Sequence, residues 1–182
     1  GREDVGERQM NQNFEHCMEM LLVHEGGFVN GNKIGDPGGL TNMGITKRTY
    51  DEFHGTNIDE EGMRDLTVED VTPIYRRNYW ERCCCQDLPN GFDWAVIDAC
   101  VNHRTGRAAK FLQKAVMVNQ DGAIGPLTMM AVNDNNPEEN INRLAVYRDA
   151  FYRSLSTFET FGRGWIRRND ETREQALEMA RG

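Results

Sequence analysis

The sequence predicts a mainly α-helical protein with a small α+β lobe that contains one short hairpin. Two observations lead to this fold class. Apolar residues recur at helical spacing through most of the 182 residues, which is the pattern of amphipathic helices. A glycine-rich stretch at residues 26–44 interrupts that pattern, and glycine clusters between periodic segments mark turns and loops. We therefore place a hairpin at residues 30–45, with helices on both sides of it.

The first predicted helix carries an apolar face and ends at a carboxylic acid. The residues that recur at i, i+3, i+4, i+7 and i+8 on that face are Phe14, Cys17, Met18, Leu21 and Leu22. Asn13 stands at the predicted N-cap. Gly26 and Gly27 predict the end of the helix, because glycine adopts the left-handed C-terminal conformation at little cost. Glu25 follows Leu21 by four residues, so it continues the apolar face at the helix end.

This placement makes Glu25 the candidate general acid. Desolvation disfavours the charged form of a carboxyl group, so we expect Glu25 to hold its proton closer to neutrality, as a general acid must. The structural alternative is a glutamate that ends a helix and faces water. Two features favour catalysis: a glutamate is unfavourable at the negative end of a helix dipole, and flanking glycines would leave space for a substrate.

Capping signals predict most of the later helices. Thr46 predicts the start of a short helix that carries Tyr50 and Phe53, and Thr67 with Asp70 three residues later predicts a capping box. The remaining helices are predicted to open at Phe92, Thr105, Pro126 and Asn136, and the last near Trp165.

The helix over residues 92–102 is apolar on nearly all sides, so we predict that it forms the buried centre of the core. Asp98 and Asn102 within it must find polar partners, since unpaired buried polar groups are costly. Asn102 has two interpretations that the sequence leaves open, a hydrogen bond to substrate or a structural bond to a neighbouring loop.

Composition excludes several classes of function. The formal net charge of −8 and the pI near 5.0 argue against nucleic acid as a partner, because phosphate binding needs clustered Lys and Arg. No apolar run approaches the roughly 18 residues of a membrane helix, so no membrane contact is predicted. The charged residues 1–8 lack an apolar core, so no secretory signal is expected.

The five cysteines predict neither a disulfide framework nor a metal site. They are odd in number, and Cys83, Cys84 and Cys85 are adjacent, which disfavours bridging. No Cys-x-x-Cys pair provides zinc-ligand spacing, and His24 and His54 match no ligand pattern. We therefore expect reduced cysteines, no metal and no cofactor.

Two motifs resemble the signature of glycoside hydrolase family 108, the phage-type muramidases that cut peptidoglycan. They are EGGFVN at residues 25–30 and DPGGLTNMGIT at residues 36–46. Shorter matches in the same order extend the resemblance over most of the chain. The resemblance implies one lysozyme-like domain over residues 1–182, with a catalytic region at 9–90. Residues 91–182 would be a helical, peptidoglycan-binding-like region that does not fold alone.

The resemblance also implies roles for individual residues. Glu25 would be the acid, Asp36 the second carboxylate, and Thr41 or Thr46 would position a water. The order Glu, Asp, Thr resembles the catalytic triad of phage-type lysozymes, with a different spacing. Asp36 keeps a structural alternative, because Asp before Pro-Gly-Gly is ordinary turn chemistry.

Further residues are expected to contact substrate. Phe28 and Tyr50 are candidates for stacking on sugars, although either could belong to the core. Thr46 and Asn102 are candidates for hydrogen bonds to the glycan.

The predicted function is therefore that of an endolysin, a monomeric muramidase that hydrolyses the β-1,4 bond between N-acetylmuramic acid and N-acetylglucosamine. A lytic transglycosylase and a non-catalytic wall-binding protein remain as alternatives. The predicted partner is bacterial peptidoglycan. We expect synthesis in the host cytoplasm and action in the periplasm or cell wall, after export through a holin.

Overall fold

The computed structural model describes the backbone of residues 2–31 and 39–182 and the side chains of residues 13–31 and 39–182. The chain divides into two compact units, Gly1–Asn78 and Tyr79–Gly182. The first unit contains the glycine-rich stretch, and the second is built from helices. The sequence places its regional boundary later, between residues 90 and 91, and folding as a single domain stays a prediction.

The first unit combines helices with a small sheet, as the sequence predicts. Its elements are α1 (Arg2–His24), β1 (Val29–Asn30), β2 (Leu40–Asn42), β3 (Ile45–Thr46), α2 (Lys47–His54), α3 (Glu60–Arg64) and α4 (Val68–Tyr75).

The predicted hairpin is confirmed as an antiparallel sheet with the strand order β1-β2-β3. Thr41 in the middle strand lies opposite Val29 on one side and Thr46 on the other. Strands β2 and β3 are joined by Met43 and Gly44, with φ of 47° and 76°. Two consecutive positive φ values are typical of the tight turn that matches the twist of a hairpin.

Helix α1 differs from its prediction at both ends. It extends back to Arg2, so the predicted N-cap at Asn13 is wrong. It ends at His24, but neither Gly26 nor Gly27 is among the glycines with positive φ, so the predicted left-handed cap is wrong too. The apolar face is confirmed, since its members from Phe14 to Leu21 are buried.

The caps of α2 and α4 are confirmed. The hydroxyl of Thr46 accepts a hydrogen bond from the backbone N–H of Thr49, and α2 ends at Gly55 in the left-handed conformation. At α4 both hydrogen bonds of the capping box between Thr67 and Asp70 are present.

Proline at position 73 lies inside α4. Because a proline removes one helical hydrogen bond and crowds the preceding turn, the regular helix is weakened there. The chain continues from α4 as a π-helical segment, Arg76–Glu81.

The second unit is helical throughout its regular elements. They are a short 3₁₀ turn (Cys85–Asp87), α5 (Phe92–His103), α6 (Thr105–Ala115), α7 (Pro126–Asp134), α8 (Pro137–Ser154) and α9 (Phe158–Arg181). The predicted N-cap Asn136 and the proline at the start of α7 are confirmed. Helix α9 begins at Phe158, earlier than the predicted start near Trp165.

Helix α5 is the buried centre of the second unit, as predicted. Phe92, Trp94, Val96 and Ile97 are completely inaccessible to solvent. Asp98 is also fully buried and, as expected, is paired with cationic and hydroxyl groups of α8 and α9.

One cysteine prediction is wrong. Cys83, just before the 3₁₀ turn, forms a disulfide with Cys100 of α5. Cys17, Cys84 and Cys85 are free thiols. The pairing escaped sequence analysis because adjacency argues only against bridges within the run at 83–85, and the partner lies 17 residues further along the chain.

Candidate active site

The candidate acid Glu25 lies directly after the last residue of α1. Its backbone N–H still donates to the carbonyl of Leu21 at 3.2 Å, so it continues the helical turn. Its side chain is half-buried. Glu25 therefore extends the last turn of α1 by one residue, and its side chain is partly shielded from water, as the sequence predicts.

Gly44, in the β2–β3 turn, lies against this carboxyl group. A Cβ built on Gly44 would stand 2.7 Å from Oε2 of Glu25 and 2.5 Å from the hydroxyl of Tyr75. Real Cβ atoms do not approach other heavy atoms so closely, so any larger residue here would displace one of these two groups. A Cβ on Gly26 or Gly27 would meet nothing within 4 Å, so neither takes part in this close packing, and their role in leaving space for a substrate stays a prediction. Gly44 is thus the glycine that the carboxyl requires.

Tyr75, at the end of α4, is the second group at this point. Its ring is buried, and its hydroxyl donates a hydrogen bond to the carbonyl of Met43 at 2.7 Å. The hydroxyl therefore supports the turn and faces the same small space as Oε2 of Glu25. The sequence alone did not single out Tyr75. A phenol on an apolar helix face usually needs a polar partner, and that signal could have identified it.

The turn is also anchored from the sheet side. The buried amide of Asn42 donates to the carbonyls of Met63 and Arg64, at 2.9 and 3.3 Å. Asn30 of β1 donates to the carboxylate of Glu60 at 3.2 Å. Helix α3 therefore holds both ends of the small sheet, and the turn against Glu25 does not depend on its own residues alone.

The predicted substrate residues of the first unit are all half-buried. Thr41 lies on the middle strand, next to Thr46 of β3. The hydroxyl of Thr46 accepts a hydrogen bond from the Thr49 N–H and donates one to the Thr49 hydroxyl. It therefore serves as both acceptor and donor at the cap of α2. A substrate role for either threonine stays a prediction.

The two candidate stacking aromatics already have partners of their own. The guanidinium of Arg64 lies 4.3 Å above the ring centre of Phe28. The ring of Tyr50 lies 4.5 Å from that of His54, at a tilted angle. Their roles in stacking on sugars stay predictions. Asp36, the predicted second carboxylate, falls within residues 32–38 and lies outside the described residues.

Asn102 belongs to a polar cluster in the second unit, which we call the Asp98 cluster. The carboxylate of Asp98 accepts hydrogen bonds from Arg148 at 2.8 Å, Arg168 at 2.9 Å and Thr172 at 3.0 Å. The hydroxyl of Tyr152 donates to Asn102. Asn102 thus has a structural partner on a helix rather than on the loop that the sequence suggested, and its contact with substrate stays a prediction.

Burial and charge set the protonation states in this cluster. Burial alone would raise the pKa of Asp98, but the charges of Arg148 and Arg168 hold that pKa below its ordinary value. Burial, together with the charge of Arg148, lowers the pKa of His103 to about 3. His103 is therefore neutral near pH 7, and its Nε2 accepts a hydrogen bond from Arg148 at 3.1 Å.

Two further findings concern only the part of the chain that the structure describes. Its histidine, cysteine and acidic side chains form no group of three or more that could hold a metal ion. None of its helices combines the length and the apolar character needed to cross a membrane.

Comparison with known proteins gives the class. Residues 18–103, which include Glu25 and the sheet, match the family model described as "Glycosyl hydrolase 108". Residues 107–170 match the model described as "Predicted Peptidoglycan domain". A mainly α, lysozyme-like fold with these two matches defines a glycoside hydrolase that acts on peptidoglycan.

A solved structure extends the match to nearly the whole chain. The chain is similar to the protein described as "Structure of Brucella abortus SagA", with 40% sequence identity and a TM-score of 0.83. The alignment covers 94% of this chain and 98% of the other. The protein belongs to the glycosyl hydrolase 108 family. A comparison with curated proteins gave no significant match.

Proposed function

We propose that the protein is an N-acetylmuramidase, in which Glu25 is the general acid for hydrolysis of the β-1,4 bond between N-acetylmuramic acid and N-acetylglucosamine. The observation that carries this proposal is the position of the Glu25 carboxyl against Gly44 and Tyr75. A half-buried acid at a helix end, against which Gly44 lets the β2–β3 turn pack closely, has the defined position that proton transfer to a glycosidic oxygen requires.

The chemistry follows from this position. The Glu25 carboxyl donates its proton to the bridging oxygen, the bond from that oxygen to C1 of the muramic acid breaks, and positive charge develops on the sugar ring. A carboxylate or an activated water must then act at the opposite face. Asp36 is our candidate for that carboxylate, and Thr41 for positioning the water. Addition of water at C1 leaves a reducing muramic end.

Tyr75 is suited to keep Glu25 protonated before the reaction. The hydroxyl of Tyr75 donates its single proton to the Met43 carbonyl, so it can meet a carboxyl group only as an acceptor. A protonated carboxyl can donate to that oxygen, whereas a carboxylate cannot. A hydrogen bond made only by the neutral acid favours the neutral acid. Tyr75 is therefore a positioning residue for Glu25.

The products of digestion test the proposed reaction. Purified peptidoglycan is digested with the protein, and the soluble fragments are analysed by mass spectrometry before and after borohydride reduction. The proposal predicts fragments that end in reducing muramic acid. Anhydro-muramic ends would show a lytic transglycosylase instead, and reducing glucosamine ends would show cleavage of the other glycosidic bond. Wall binding without soluble fragments would leave only a binding protein.

We further propose the biological setting of an endolysin, on the strength of the phage-type motifs at residues 25–46. The protein would be made in the cytoplasm, act as a monomer and reach the wall through a holin. Co-expression in a Gram-negative host with a pore-forming holin should cause lysis, and expression of either protein without the other should not. Lysis without the holin would overturn the export route.

A further inference from the structure

A run of aromatic side chains crosses three helices of the second unit. Phe111 of α6 and Phe151 of α8 are in edge contact, with ring centres 5.8 Å apart. On α9, Trp165 lies 5.9 Å from Phe161. Phe161 is 55% exposed, and the other three rings are half-buried. We call these four residues the aromatic strip.

Tyr152, which is buried beneath the strip, contacts both Phe151 and Trp165 and so connects its two pairs of rings. Its buried ring is stacked on Trp165 at 5.3 Å and lies 6.4 Å from Phe151. Its hydroxyl accepts from Arg148 at 3.0 Å and donates to Asn102. The Asp98 cluster therefore holds the ring against which Phe151 and Trp165 of the strip pack.

An exposed cation accompanies these rings. The guanidinium of Arg107 lies 4.2 Å above the ring centre of Phe151. Among the side chains that the structure describes, no carboxylate forms an ion pair with it. Arg107 thus places an exposed positive charge beside the rings, in a chain whose formal net charge is −8.

We propose that the aromatic strip with Arg107 is a binding surface for the glycan strand of peptidoglycan. Pyranose rings present an apolar C–H face that packs on aromatic side chains, and the lactyl and stem-peptide groups of muramic acid carry carboxylates or amides that a guanidinium can bind. All five residues lie within residues 107–170, the part of the chain that matches the peptidoglycan-domain model. The net charge of the chain would repel an anionic polymer elsewhere, and the strip offers a cation where the rings are.

This inference deepens the proposed function, because it assigns wall binding to the second unit and leaves cleavage to Glu25. The test separates the two. Binding is measured by co-sedimentation with purified peptidoglycan, using Glu25→Gln protein so that the wall is not digested during the assay. Binding by this variant does not depend on whether the protein is a muramidase.

Phe161→Ala and Arg107→Gln are the informative substitutions, since both side chains are exposed and neither belongs to the core. We expect each to weaken binding, with about a tenfold loss for the double variant. Arg107→Gln should also reduce the salt dependence of binding. Leu127→Ala is the matched control, because Leu127 is 78% exposed on α7. It should bind like the parent.

Trp165 supplies an independent readout. Soluble muropeptide fragments should change the fluorescence of the protein, and Trp165→Phe should abolish that change while leaving the thermal transition in place. Unaltered wall affinity in both Phe161→Ala and Arg107→Gln would overturn the proposal. Self-association through the strip would overturn it too. That result would be a dimer of the parent protein that Phe161→Ala dissociates without any loss of wall binding.

Discussion

The α-carbon of Gly44 is packed against the carboxyl group of Glu25, so closely that a Cβ would stand 2.7 Å from Oε2. The two residues come from different elements, the β2–β3 turn and the end of α1. Gly44 also has a φ of 76°, a conformation that other residues adopt with strain. Both the backbone conformation and the close approach therefore demand glycine.

Gly44→Ala should abolish most of the activity. The added methyl group must displace either the Glu25 carboxyl or the Tyr75 hydroxyl, and a displacement of about 1 Å can cost about a hundredfold in rate. The measurement is kcat/KM on soluble glycan fragments. Gly55→Ala is the matched control, because Gly55 has a φ of 66° and open space around its α-carbon. Gly55→Ala should lose about 1 kcal/mol of stability and Gly44→Ala at least as much, but only Gly44→Ala should lose activity. Equal activities would contradict the account.

Tyr75→Phe tests the support of the acid. It removes the hydroxyl that donates to Met43 and that faces the Glu25 carboxyl. If the Tyr75 oxygen favours protonated Glu25, the Glu25 carboxyl should lose its proton more readily in the variant. The alkaline limb of the pH profile of kcat/KM should then move to lower pH.

Tyr50→Phe is the control for loss of a phenol elsewhere in the first unit, and it should leave the alkaline limb in place. A purely structural role for Tyr75 predicts another result: the whole profile would fall by a constant factor at every pH, with its limbs unmoved.

Local chemistry explains which parts of the fold the sequence could predict. The caps at Thr46, Thr67 and Asn136 use hydrogen bonds between residues two or three positions apart, so a short stretch of sequence is enough to predict them. The buried character of α5 follows in the same way from its composition. The predicted start of α1 is wrong because Asn13 can act as an N-cap only if a helix begins there, and the residues before it are already helical.

The contacts that escaped prediction at the candidate site and in the Asp98 cluster depend on pairs distant in sequence. Gly44 and Tyr75 meet Glu25 through the folding of α4 beside the hairpin. Asp98 meets Arg148 across a separation of 50 residues. Neither hydrophobic periodicity nor a capping rule links such positions, because the contact exists only after the helices pack. From the sequence one can predict that a buried Asp98 needs polar partners, but not which residues they are.

His103 predicts how stability depends on pH. The unfolded chain takes up a proton on this histidine near pH 6.5, but the folded chain does so only near its lowered pKa of about 3. The stability contributed by neutral His103 is therefore fully present above pH 6.5. It falls by up to about 1.4 kcal/mol per unit as the pH is lowered toward 3. The urea midpoint should accordingly decrease between pH 7 and pH 4.

His103→Gln should flatten this decrease, because glutamine can still accept from Arg148 but does not titrate. His54→Gln, at an exposed position of α2, should leave the slope as it is. Below pH 4 both proteins should lose further stability as Asp98, whose pKa is lowered, finally takes up a proton. An unchanged slope in His103→Gln would assign the pH dependence to other groups.

The disulfide between Cys83 and Cys100 predicts three free thiols among five cysteines. Titration of the urea-unfolded, unreduced protein should count three, and reduction should raise the count to five. Because the bridge closes a loop of 17 residues, reduction should destabilise the protein by about 3 kcal/mol. Cys84→Ser should lower the count by one and leave the reduction effect intact. A count of five before reduction would show that the pair is not bonded.

The most direct test of the account is the activity of Glu25→Gln on purified peptidoglycan. The amide keeps the size of the side chain but has no acidic proton to donate to the glycosidic oxygen. Glu19→Gln is the matched control, since Glu19 lies on the same helix with its side chain 82% exposed. We predict a loss of soluble fragments of at least about a thousandfold for Glu25→Gln, with an unchanged thermal transition, and full activity for Glu19→Gln. Release of the same fragments by Glu25→Gln at a rate near that of the parent would contradict the assignment of Glu25 as the acid.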